Sequence, residues 1–232
     1  NPYFVAKFGD FGLKGELLYG TGKGKASTFG GIDTDVDLLT YMVEGSYSAG
    51  PVNIRGGYWY MSGDDDTTDN ELNAFAYIEP NDYLDVAFIL TGGADGAGGA
   101  GLENSLGGGI GNFSGNAQNF TGGTNAGALA MAGASVLYFA VDYDYSDTLT
   151  LGASYIIAKA DKPPGLKTGR AAQWDDGVGH EYDFRLIWKP WENLEYKFVG
   201  AYLDTGDFWK QGVVATEVED LTVLYNSLTV SF

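Results

Sequence analysis

The chain has 232 residues, 44% of them hydrophobic, no cysteine, and a formal net charge of −18. Its apolar residues never gather into the run of about 20 that a spanning helix needs. The missing thiols exclude disulfides, thiol catalysis and thiolate metal sites, and so acidic a chain lacks the clustered Lys and Arg that nucleic acid requires. What remains is a single all-β domain over 1–232, of a kind that suits either a soluble β protein or a transmembrane barrel.

Alternation predicts about eleven strands, at roughly 3–8, 11–20, 34–47, 52–62, 71–78, 83–92, 130–144, 148–160, 179–189, 193–205 and 217–232. Phe4, Ala6 and Phe8 share a face of the first, and Phe11, Leu13, Leu17 and Tyr19 share a face of the second. The phase shifts at Gly9-Asp10. A two-residue hairpin explains the shift, because it sets residues 8 and 11 opposite each other on one face. A β-bulge is the alternative.

Further along, Val52, Ile54, Tyr58 and Tyr60 oppose Asn53 and Arg55. Leu149, Leu151, Ala153, Tyr155 and Ile157 oppose Thr148, Thr150, Gly152 and Ser154. Tyr182, Phe184, Leu186 and Trp188 oppose Glu181, Asp183, Arg185 and Lys189, and Leu194, Tyr196, Phe198 and Tyr202 oppose Glu195 and Lys197. Charges on the inner face of a sandwich would be buried without water, whereas in a water-filled barrel they cost little.

Connections alternate in length. Short ones fall at Gly9-Asp10, 49–51, 79–82, Ser146-Asp147 and 190–193, and long ones at about 21–33, 63–70, 93–129, 161–178 and 206–216. Short turns at one end and long loops at the other predict an up-and-down antiparallel barrel rather than a Greek-key sandwich. With an odd strand count and no initial Met, the chain is expected to be the C-terminal part of a larger, even-stranded barrel.

The last strand runs from Asp220 to Phe232, with Leu228, Val230 and Phe232 on one face and Ser227, Thr229 and Ser231 on the other. This ending resembles that of bacterial outer-membrane β-barrel proteins, whose closing strand ends in a Phe that the assembly machinery reads. Phe232 matches that signal, while Asn226 stands where the family usually keeps an apolar residue. Hairpin rhythm and abundant aromatics (16 Tyr, 13 Phe and 5 Trp, suited to interfacial girdles) extend the resemblance to porins over almost the whole chain. The hairpins 150–161 and 181–204 look like those of alginate-export-like barrels. The resemblance implies a bacterial outer-membrane location and contact with outer-membrane lipid and lipopolysaccharide. It implies passive diffusion of small hydrophilic solutes or ions through a water-filled lumen, and a homo-trimer. The other reading is a structural or docking barrel that anchors a surface or electron-transfer partner.

The candidate pore-lining charges are Lys14, Glu16, Glu44, Arg55, Asp183, Arg185, Glu195 and Lys197. Rings of fixed charge set ion preference through local potential, while mixed signs on neighbouring strands brace a wall as ion pairs. No catalytic residue, cofactor or metal set is read. His180, the sole histidine, is expected at a wetted rim, since no Gly-x-Ser-x-Gly elbow exists. The acidic runs Asp33, Asp35, Asp37 and Asp64, Asp65, Asp66, Asp69, Glu71 lack the EF-hand glycine and read as solvated loops, with weak Ca²⁺ binding as the alternative. The glycine-rich stretch 92–127 is either a constriction folded into the lumen or a mobile outer loop. Lys167 and Arg170, after Pro163-Pro164-Gly165, sit in a solvated loop or touch lipopolysaccharide phosphate. Gly15, Gly45 and Gly56 mark either a contact between barrels or strand curvature.

Overall fold

The computed structural model describes residues 2–24, 33–66, 69–73, 89–90, 132–163, 165–168, 171–210, 212–215 and 217–232. They form β1 (Tyr3–Phe8), β2 (Phe11–Gly24), β3 (Thr34–Ala49), β4 (Val52–Met61), β5 (Glu71–Leu72), β6 (Ala134–Ser146), β7 (Leu149–Lys159), β8 (Gly177–Trp191), β9 (Leu194–Thr205) and β10 (Leu221–Val230). All ten join one sheet in the order β1-β2-β3-β4-β6-β7-β8-β9-β10, with β5 paired to β3 off that path. Every pairing along the path is antiparallel, which makes an all-β, up-and-down meander.

The Gly9-Asp10 hairpin is present, with Phe8 opposite Phe11. Gly9 (φ +64°) and Gly50 (φ +57°) take the left-handed conformation that two-residue turns need, and a side chain there would be strained. Turns at 147–148 and 192–193 also fall where expected, while the expected turn at 79–82 lies outside the described residues.

Between β4 and β6 the described residues depart from the expected strand order. Strands were expected at 71–78 and 83–92, yet β4 pairs directly with β6, Val52 facing Tyr143 and Met61 facing Ala134. Of 71–78 only 71–73 are described, and there Glu71–Leu72 forms strand that runs parallel to Asp35–Val36 of β3. Of 83–92 only Ile89 and Leu90 are described, and they form a turn. Their backbone N–H groups go to the Glu181 carboxylate, at 2.5 and 2.8 Å, rather than into a ladder. A backbone donor can serve only one such role, so this pair does not extend the sheet.

Alternation gives the sheet two unlike faces. The outer face carries Ile54, Phe139, Phe184 and Trp188, which are 46–54% exposed. No second sheet covers it among the described residues. The opposite, inner face is divided. Toward the long loops it is apolar and closed: Trp59, Met61, Val136, Ile156, Val178 and Leu203 are buried, and Phe208, Trp174, Ile89 and Leu90 pack on them from connecting segments. Each large apolar side chain so buried stabilises the fold by about 1.5–3 kcal/mol. Phe208 stands on a short 3-10 turn (Asp207–Lys210), meets Trp174 edge to face at 5.1 Å, and is held in place by Trp209, whose Nε1–H donates to the Val178 carbonyl at 2.7 Å. Toward the short turns the inner face carries charge. The expectation of a charged inner face applies to the turn-side half; Trp59 and Met61, continuing the face of Asn53 and Arg55, are buried in the loop-side half.

Candidate functional site: a charged belt on the inner face

The belt begins where β2 and β3 pair. Lys14 and Glu44 are register partners, and Lys14 Nζ lies 3.0 Å from Glu44 Oε1. Glu44 is buried, and its second oxygen accepts a 2.5 Å hydrogen bond from the Tyr138 hydroxyl of β6. Arg55 of β4 lies between two carboxylates, with Nη1 3.9 Å from Glu44 and Nη2 3.4 Å from Asp142 of β6. Asp142 in turn accepts from Arg185 of β8 through its other oxygen. Charges thus alternate in sign from β2 to β8: Lys14, Glu44, Arg55, Asp142, Arg185.

Two glycines make these reaches possible. Gly57 lies between Glu44 and Tyr138 in the ladder, and a Cβ there would stand 2.5 Å from the Tyr138 ring. Gly152 lies between Asp142 and Arg185, where a Cβ would stand 2.6 Å from Asp142 Oδ1 and 2.8 Å from Arg185 Nε. Without side chains at these two positions, partners two strands apart meet over the intervening strand.

Of the other sequence candidates, Asp183 accepts from the Ser154 hydroxyl at 3.1 Å, and Glu195 pairs with Lys189 at 2.7 Å. Glu16 and Lys197 are half-buried on the same face, opposite Met42 and Ser227. Phe232 lies two residues beyond β10 and is exposed. The structure therefore brings Lys14, Glu44, Arg55 and Arg185 into one network. Its carboxylate at Asp142 and its hydroxyl at Tyr138 went unread in the sequence. Both lie on the face of β6 opposite Phe139 and Val141, so alternation alone would have found the face, but not the reach across a strand.

His180 stands on the outer face, its Nδ1 2.7 Å from the Tyr155 hydroxyl and its ring stacked on Tyr155. Among the described residues no three acidic or histidine side chains form a metal-holding group. The acidic loops are knitted by local bonds instead. Asp64 accepts from the N–H groups of Asp66 and Asn73, at 3.0 and 3.1 Å, and burial raises its pKa against the opposing pull of those bonds. Lys167 pairs with Asp66 at 3.0 Å, and that bond raises its pKa. Asp220 accepts from the Tyr202 hydroxyl at 2.6 Å and the Thr205 N–H at 3.1 Å, which lower its pKa in that order. Lys23 pairs with Asp35 at 2.6 Å. Arg170 and the glycine-rich stretch 92–127 lie outside the described residues. Gly15 lies under the Phe4 ring and Gly56 under Phe139, while Gly45 faces open space.

No protein-family model matches the chain, and no curated protein matches it. Three solved outer-membrane structures are similar to it. Salmonella typhi OmpF, solved in complex with Daunomycin, aligns over 97% of this chain and 49% of its own, at 13% identity and a TM-score of 0.46. Outer-membrane expressed OmpT of Vibrio cholerae aligns over 97% and 54%, at 15% identity and 0.39. The NanC porin aligns over 99% and 91%, at 9% identity and 0.39. The chain spans about half the length of the first two. The all-β meander described above rests on the chain's own ladder.

Proposed function

We propose that this chain forms wall of an outer-membrane β-barrel, with its aromatic and aliphatic face in lipid and its charged belt toward the lumen, and that the barrel is a porin for small hydrophilic solutes or ions. The observation that carries this reading is the contrast between the two faces of one continuous sheet. Phe139 and Phe184 stand outward unpaired with any second sheet among the described residues, while Arg55 and Asp142 stand inward. In water such an outer face invites association; in a bilayer it is matched to acyl chains. Tyr155, Tyr182 and Tyr202, in ring contact on that face toward the long loops, and Trp188 and Trp191 toward the short turns, suit the two interfaces. Among the described residues the path of nine strands leaves β1 and β10 running the same way.

The opposite charges of the belt cancel at short range. The deciding experiment is planar-bilayer recording of the folded protein. Discrete conductance steps are expected, and their absence from a demonstrably folded preparation removes the porin reading.

One observation favours a second reading, a structural or docking barrel: the loop-side half of the inner face is apolar and covered by Ile89, Leu90, Trp174 and Phe208. A stoichiometric partner on purification, together with silence in the bilayer, supports it over the first.

A further inference from the structure

Where β1, β2 and β3 meet, next to the Lys14 end of the belt, the wall holds a hollow of about 330 Å³. Tyr3 and Val5 of β1, Lys14 and Glu16 of β2, and Met42 of β3 line it. The ladder explains why these five share the inner face. Tyr3 is register partner to Glu16, Val5 to Lys14, and Glu16 to Met42, whereas Phe4 and Gly15 between them belong to the outer face. Tyr3 and Val5 are 75% and 76% exposed, and Met42 joins the buried apolar core. The hollow thus sets bare apolar surface on the side of the wall that carries charge, and such surface gains by taking an apolar ligand. Its volume lies at the small end of the about 300–1,000 Å³ of ligand pockets.

The two charged groups beside that surface have opposite sign and stand two positions apart on one strand, roughly 7 Å along it. Neither has to be unpaired to hold a ligand. Lys14 meets Glu44 through its ammonium and keeps further donors, and a carboxylate such as that of Glu16 accepts at both oxygens.

We propose that this hollow is a solute-binding site for a small zwitterion with an apolar body, of which an aliphatic amino acid is the simplest. The ligand's carboxylate meets Lys14, its ammonium meets Glu16, and its side chain lies on Tyr3, Val5 and Met42. An uncharged sugar fits less well, because hydroxyls set against Val5 and Met42 lose hydrogen bonds to water. The proposal rests on the porin reading and deepens it by naming a class of solute that the lumen holds.

Binding is read by equilibrium dialysis of radiolabelled leucine against the protein folded in detergent micelles, with bilayer conductance recorded in parallel. Leucine is expected to bind at least tenfold more tightly than glycine, which keeps both charges and lacks the apolar body. It should also exceed 4-methylpentanoate and isoamylamine, which keep the body and one charge each. Tyr3→Ser and Val5→Asn should each narrow the leucine-to-glycine ratio by about fivefold or more. Both positions are exposed, so these variants stay informative if changes at Lys14, which braces Glu44, prevent folding. Leucine bound within about twofold of glycine overturns the site. So does a Tyr3→Cys variant of this cysteine-free chain that a water-soluble maleimide fails to label in the folded protein. A protein that conducts without preferring leucine loses the site and keeps the porin reading. One that prefers leucine and is silent in the bilayer keeps the site and loses the porin reading.

Discussion

Arg185 on β8 reaches Asp142 on β6 across the full width of β7, and it does so over Gly152, which is register partner to both. Gly57 plays the same part for Tyr138 and Glu44. Adjacent-strand pairing holds neighbours together; these reaches tie strands two apart and resist shear of the wall.

Filling Gly152 breaks the first of these ties. Gly152→Val places a Cβ within 2.6 Å of Asp142 Oδ1. It is expected to cost about 2 kcal/mol in denaturant unfolding, through separation of a half-buried pair. Gly45→Ala, where nothing lies within 4 Å of the added carbon, should stay within about 0.5 kcal/mol of the parent. Equal effects at the two sites contradict the cross-strand account.

The Tyr138 hydroxyl supports a buried carboxylate. Tyr138→Phe leaves Glu44 short of one donor and should destabilise by about 1–3 kcal/mol. Combined with Glu44→Gln, a double-mutant cycle should give a coupling above about 0.5 kcal/mol. A coupling of zero means that the hydroxyl and the carboxylate act independently.

Phe208 tests whether the loop-side interior is a packed core. Phe208→Ala removes a ring with no exposed surface and should cost about 3–5 kcal/mol, measured as a shift in the unfolding midpoint. A change below about 1 kcal/mol shows that the 206–220 connection folds away from the wall without consequence.

Two loop carboxylates should respond to acid with opposite sign. Asp220 has a lowered pKa, chiefly from the Tyr202 hydroxyl, so its contribution is present above the ordinary value of 3.8 and fades as pH falls through its lower folded value. The melting difference between the parent and Asp220→Asn should therefore shrink in that range. Asp64 has a raised pKa, chiefly from burial, so its folded form binds protons more readily than the unfolded chain. Its effect on stability is most favourable below 3.8 and is lost as pH rises through its higher folded value. Chemical-shift titration of the two carboxyl carbons should place Asp220 below Asp64; the reverse order contradicts both assignments.

The hairpin at Gly9-Asp10 was legible because the hydrophobic phase flips there, and a phase flip has a geometric cause. The faces of β8 and β9 were legible because Tyr182, Phe184, Leu186 and Trp188 alternate with charge. The β4-to-β6 connection was not, because 71–78 and 83–92 carry strand-like alternation while the donors of Ile89 and Leu90 serve a side chain far away in sequence. The belt was half legible. Its charges could be assigned to a face, but the contacts of Asp142 and Tyr138 depend on which glycine lies between which strands, and that is a matter of register. The buried half of the interior was signalled by Trp59 and Met61 following Arg55 on one face, although its covering residues come from distant connections.

The central claim is that the two faces of the sheet meet different surroundings, and alternating labels along β8 test it most directly. Single cysteines placed in turn at 182–188 of the cysteine-free chain, each carrying an environment-sensitive fluorophore, are read in vesicles against a lipid-soluble and a water-soluble quencher. Lipid quenching should be strong at 182, 184, 186 and 188 and weak at 183, 185 and 187, a period of two. Quenching with no alternation, or strong water quenching at 184 and 186, contradicts a wall with one face in lipid.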